Sequence, residues 1–228
     1  MSQSLQNVAG VIFDMDGTIF DTERVWQEVF VRANDKFGVT FSEEFRQNTC
    51  GKNEATIRAE LLACYPQLDA EGYRNFIIAS VEEKLARGEV DVKKGFAELI
   101  GYLKENGYKT ALATSSNRSR AERLFQMKGW AMSQLFDSCV FGDDEGVKSK
   151  PDPDMFVRSA KKMGLAEERC VVLEDSINGI KAAKNGGLLP VMVIDLIAPD
   201  VYCEENCFAI CNDLGEVVDL LKKHTINI

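Results

Sequence analysis

Four short stretches, far apart in the chain, carry the side chains best suited to chemistry. Asp14-Met15-Asp16-Gly17-Thr18 offers two carboxylates two residues apart, with a glycine and a hydroxyl behind them. Thr114-Ser115-Ser116 offers hydroxyls, Lys150-Pro151 an ammonium group, and Glu174-Asp175-Ser176 two more carboxylates. Gathered carboxylates repel one another and need a cation, and hard oxygen ligands favour Mg²⁺. Such an ion would also lessen the repulsion between an attacking carboxylate and a phosphate dianion. Hydroxyls, backbone N–H groups and a lysine suit the remaining phosphoryl oxygens. Uncatalysed hydrolysis of a phosphate monoester is among the slowest of reactions, and a covalent aspartyl-phosphate divides it into two easier steps. Taken singly, these residues have plainer roles. An Asp after a strand is commonly a turn former or a cap. Ser115 or Ser116 could cap the helix expected from about Arg118, and Lys150 could be a solvated charge. The combination, in this order, carries the reading.

Only a particular fold brings such stretches together. Apolar runs at 8–13, 110–114, 140–141, 171–173 and 191–194 read as short buried strands. Between them lie helix-period segments at 96–106, 118–128 and 176–185, a further helix opened by Asp152-Pro153 with Asp152 as its cap, and a closing helix at 214–222. Strand and helix in alternation predict a parallel sheet covered on both faces, whose site lies beyond the carboxyl ends of the strands. Each of the four stretches follows a strand or precedes a helix. From Asp21 to Glu89 the periods are helical only: Val25, Val29, Val31 and Phe37, then Ile57, Leu61 and Leu62, then Phe76, Ile77, Val81 and Leu85. This segment reads as an all-helical insertion after the first strand.

A composition of 45% hydrophobic and 28% charged residues is that of a globular protein. A net charge of −9 disfavours nucleic acid as a partner. No apolar run reaches membrane-spanning length and the N-terminus does not resemble a signal peptide. A monomer with no membrane partner is expected. Seven cysteines without a secretion signal suit reduced thiols in a cytoplasm. Cys203, Cys207 and Cys211 recur every fourth residue, but the single His224 lies in the Lys-rich tail, so free thiols are expected over a metal site.

The motifs also carry a resemblance. DMDGT at 14–18, LATSS at 112–116, KPDPD at 150–154 and LEDSINGI at 173–180 resemble, in order, the four signatures of the haloacid dehalogenase superfamily. SKPDPDMF and LEDSINGI most resemble its β-phosphoglucomutase-like branch, which includes sugar-phosphate phosphatases. The resemblance implies an α/β fold: a Rossmann-like core at 1–20 and 90–228 with a helical cap domain at 21–89. It implies Asp14 as nucleophile and Asp16 as general acid and base. Mg²⁺ would be held by Asp14, the main-chain carbonyl of Asp16 and Asp175, with Glu174 nearby. Thr114 and Ser115 would bind the phosphoryl group, and Lys150 would neutralise it. Ser116, Asn117 and Arg118, with Lys52 and Asn53 of the cap's substrate loop, are further candidates for substrate contact. Gly51-Lys52 is no P-loop, because Arg46 stands where that motif needs its first glycine.

Asp16 argues against dehalogenation, since the dehalogenases lack an acidic residue there. Trp26 stands where the mutases carry a His, and Glu54 falls near their substrate-loop Arg. Lys52 is a weak match to a phosphonatase lysine. The expectation is a Mg²⁺-dependent phosphatase acting on a small, sugar-like phosphomonoester. The alternatives are a β-phosphoglucomutase-type phosphotransferase and a non-catalytic ligand-binding or regulatory protein on the same scaffold.

Overall fold

A computed structural model describes residues 5–40 and 61–224. The chain divides into two compact units, one of residues 1–21 with 91–228 and one of residues 22–90.

In the smaller unit, α1 (Thr22–Phe37) packs on α2 (Ala70–Ala86), and residues 61–64 are helical as well. Val25, Val29 and Ala33 of α1 are buried, as are Tyr73, Ile77, Val81 and Leu85 of α2. Phe37 meets Tyr73 edge to face with ring centroids 5.5 Å apart. Two apolar positions expected to face inward do not: Val31 is 59% and Leu62 39% exposed. Val31 lies off the stripe that the i, i+4 spacing of Val25, Val29 and Ala33 sets on α1.

The larger unit is built on β1 (Gly10–Phe13), β2 (Lys109–Thr114), β3 (Ser138–Phe141), β4 (Cys170–Glu174), β5 (Leu189–Val193) and β6 (Ala209–Cys211). All neighbours pair in parallel, in the order β3-β2-β1-β4-β5-β6. Every residue of β1, β4 and β5 is buried, the mark of strands covered on both faces. The helices of this unit are α3 (Phe96–Glu105), α4 (Arg118–Met127), α5 (Met132–Leu135), α6 (Asp154–Met163), α7 (Ile177–Asn185), α8 (Val201–Asn206) and α9 (Leu214–His224). Met155, Phe156 and Ala160 of α6 and Ala182 and Ala183 of α7 join Ile12, Ala111, Ala113 and Val172 of the sheet in one core. Phe13, Phe96, Phe125 and Phe136 pack ring against ring in another cluster. Each such buried aromatic stabilises the fold by about 1.5–3 kcal/mol relative to an exposed one.

α5, β6 and α8 were not expected. The helix anticipated from Asp152 has Pro153 at its cap instead, and Asp152 Oδ1 accepts the N–H of Asp154 at 3.1 Å. Cys203 and Cys211 are buried and Cys207 half-buried, all as free thiols. Burial pushes the Cys207 thiol up to about 12 and that of Cys211 to about 11, so both stay protonated at neutral pH. No helix among the described residues is long and apolar enough to cross a membrane.

One feature of this topology positions the site. β1 lies between β2 and β4, with Phe13 opposite Leu112 on one side and Leu173 on the other. The strand order reverses at β1, and ligands in such sheets bind in the crevice at that point.

Candidate active site

Asp14 is the first residue beyond β1. Its N–H still donates to the carbonyl of Leu173, at 3.0 Å, and its side chain is almost wholly buried. The chain then turns sharply. Ile19 and Phe20 both donate to the carbonyl of Met15, and Gly17 donates to that of Phe20 at 2.8 Å. Gly17 has φ +77°, and a Cβ there would lie 2.3 Å from Asp175 Oδ2. Only glycine permits both the left-handed backbone and that close approach. The turn after β1 thus lies directly against the carboxylate after β4.

Lys150 arrives in the loop before α6. Its Nζ donates to Asp14 Oδ1 and to Glu174 Oε1, both at 2.5 Å. The other Glu174 oxygen accepts the N–H and the hydroxyl of Ser176, at 2.7 and 2.8 Å. A Cβ on Gly179 would fall 1.9 Å from Glu174 Cδ, so the first turn of α7 leaves just enough room for that carboxylate. Both oxygens of Glu174 are therefore engaged, and this residue holds Lys150 in place.

The β2 loop supplies the third side. Asp16 is gripped at both oxygens, by Ser116 Oγ at 2.8 Å and by Arg120 at 2.8 Å. The Ser116 N–H donates to the Thr114 hydroxyl at 3.0 Å, and its carbonyl accepts the N–H of Gly142 beyond β3 at 3.0 Å. Thr114 is buried and Ser115 exposed. Neither serine caps α4. Asn117 does, its side chain accepting the Arg120 N–H at 2.9 Å. Arg118 lies over the Phe141 ring, 4.2 Å from its centroid, and pairs with Asp144. Lys52 and Asn53 lie outside the described residues.

The electrostatics follow from burial. Four carboxylates (Asp14, Asp16, Glu174 and Asp175) meet two basic groups, Lys150 and Arg120, and the site is short of two positive charges. Burial, with the charges of Glu174 and Asp16, pushes Asp14 up to about 8 against the pull of Lys150. Burial, then Glu174 and Asp14, likewise raises Asp175. For Lys150, burial acts downward, but Asp14 and Glu174 outweigh it and keep the ammonium charged. Among the described residues no hydrogen-bond donor or cation pairs with the Asp175 carboxylate, although it is buried. A buried carboxylate without a partner is costly, and a divalent cation would relieve it. No three His, Cys, Asp or Glu side chains among the described residues form a ready-made metal cage. Mg²⁺ does not need one, because it keeps several waters and takes one or two carboxylates. The donor set fits that ion.

Sequence reasoning missed Arg120 and the support that Glu174 gives Lys150. A signal for the first was present. Arg118 and Arg120 open α4, where the helix dipole disfavours positive charge, so each needs an anion nearby.

A model of the haloacid dehalogenase-like hydrolases matches residues 8–187. A phosphorylated carbohydrates phosphatase of Thermotoga maritima is 33% identical over 182 residues, 78% of this chain and 81% of the relative. Protein CbbY of Cereibacter sphaeroides is 30% identical over 214 residues, 89% of each chain. Among solved structures, a HAD family hydrolase of Deinococcus radiodurans superposes with a TM-score of 0.81 at 20% identity, covering 96% of this chain and 97% of that one. The matched span includes all four motifs, and the chain belongs to the haloacid dehalogenase-like hydrolases.

Proposed function

We propose that this chain is a Mg²⁺-dependent phosphatase that hydrolyses a small, sugar-like phosphomonoester through a phosphorylated Asp14. One observation carries the reading: Lys150 joins Asp14 to Glu174 while, among the described residues, no hydrogen-bond donor or ion-pair partner meets the buried carboxylate of Asp175. Asp14, Asp175 and the main-chain carbonyl of Asp16 would hold the ion. When bound, it supplies charge that draws phosphate oxygens toward an anionic site.

The residues of the chain divide the remaining work. Asp14 attacks phosphorus, and the bond to the ester oxygen breaks. Asp16, two residues on, gives that oxygen a proton as it leaves. Water then attacks phosphorus, Asp16 takes its proton, and the Asp14 carboxylate departs with the electron pair of the broken P–O bond. Lys150 neutralises charge gathering on the phosphoryl group, and Thr114 with the Ser115 N–H binds its oxygens. The sugar-like substrate class rests on the Thermotoga relative, whose name gives phosphorylated carbohydrates as its substrates.

Asp14→Asn is the direct test. The variant should keep its circular dichroism spectrum and release no phosphate from a panel of hexose and pentose phosphates with Mg²⁺. Turnover by folded Asp14→Asn at the wild-type rate would falsify the reading. Isomerised sugar phosphate with no phosphate released by the wild type would replace hydrolysis with transfer.

A further inference from the structure

Arg120 stands in a place that a surface arginine would leave. It is the third residue of α4, within the turn where the helix dipole opposes its charge. Its side chain is only 17% exposed. Its Nε is buried with no hydrogen-bond partner among the described residues. A long basic side chain free to swing into water would avoid all three penalties. What holds it is Asp16, whose Oδ1 accepts from the guanidinium at 2.8 Å.

The grip is two-sided. Ser116 Oγ donates to the other Asp16 oxygen at 2.8 Å, and Ser116 is itself fixed by Thr114 and Gly142. Asp16 sits on the tight turn after β1, where its backbone is fixed but its side chain is one-quarter exposed. Among the described residues these two contacts are the hydrogen bonds that set the direction of its carboxylate.

We infer that Arg120 is a positioning residue, which together with Ser116 aims the Asp16 carboxylate for proton transfer to and from the reacting oxygens. This rests on the phosphatase reading above. Proton transfer is sensitive to direction, and an acid displaced by about 1 Å can lose about 100-fold in rate. A sugar alkoxide needs that proton to leave, whereas p-nitrophenolate does not.

The experiment compares the wild type with Arg120→Gln and Arg120→Lys in the full-length chain with Mg²⁺, using a hexose phosphate and p-nitrophenyl phosphate. In Arg120→Gln, kcat on the hexose phosphate should fall by about 10- to 100-fold with KM little changed. Single-turnover release of p-nitrophenolate should stay near the wild-type rate. Arg120→Lys should recover part of the loss, since an ammonium can hold one oxygen but not present a planar fork. Equal losses on both substrates, or faster hexose phosphate turnover in Arg120→Gln, would overturn the inference. If Arg120→Gln does not fold, Arg120→Lys carries the test alone, with a smaller but equally selective loss on the hexose phosphate. A wild type inactive on both substrates would defeat the phosphatase reading itself, whereas an active one with unselective variants defeats only this assignment.

Discussion

Lys150 is the residue on which the buried charges depend. It is flanked by Asp14 and Glu174, and all three side chains are less than a tenth exposed. Replacing one partner of a buried ion pair leaves the other charge unpaired, at a cost of about 3–5 kcal/mol. Lys150→Met should therefore lose activity and also unfold at lower urea, with a stability loss of that order. A Lys150→Met protein as stable as the wild type in urea titrations would show that the ammonium is not what keeps these carboxylates buried. Legibility at this scale was uneven. Asp14, Lys150, Glu174 and Asp175 stood out in the sequence because each ends or follows a strand or precedes a helix. The use to which Glu174 is put was not. Its two oxygens are claimed by Lys150 and Ser176, and that depends on a contact with Gly179 that no spacing reveals.

At the scale of elements, α7 shows a conflict between local preference and site geometry. Gly179 lies inside this helix, where alanine would be preferred by about 1 kcal/mol. Yet a Cβ at this position would strike the Glu174 carboxylate. Gly179→Ala should thus bring no gain in stability and should lower kcat, because Glu174 must shift and Lys150 with it. A variant with raised melting temperature and unchanged kcat would show that the contact has room to relax. The longer helices and strands were visible in sequence because each repeats its apolar residues at its own period or runs apolar throughout. β6 was not, since three residues at the sheet edge show no period and only one of them is buried. α8, six residues long, has a single buried side chain and left as little trace.

For the whole molecule, the shortage of positive charge ties metal to stability. A ligand that binds the folded chain but not the unfolded one raises the melting temperature by mass action. Mg²⁺ should do so here, and chelation should reverse it. Asp175→Asn should lose most of that response, because it removes a carboxylate that pairs with no donor or cation among the described residues. A melting temperature unmoved by Mg²⁺ in the wild type, measured by calorimetry, would count against the proposed donor set.

The chain leaves the larger unit at Asp21 and rejoins it at Asp91, and the two crossing points lie side by side. Asp21 donates to the carbonyl of Asp91 at 2.9 Å, Phe20 bridges to Val92, and Lys93 donates to Ile19 at 2.8 Å. Departure and return thus share one small doorway stitched to the host. A module attached that way can be trimmed, enlarged or exchanged for another while the host's interior stays as it was. A chain with a short glycine-serine bridge in place of residues 22–90 should still show the far-ultraviolet signature of the sheet. If that chimera were unstructured, the stitching would be too weak to make the host independent of its graft.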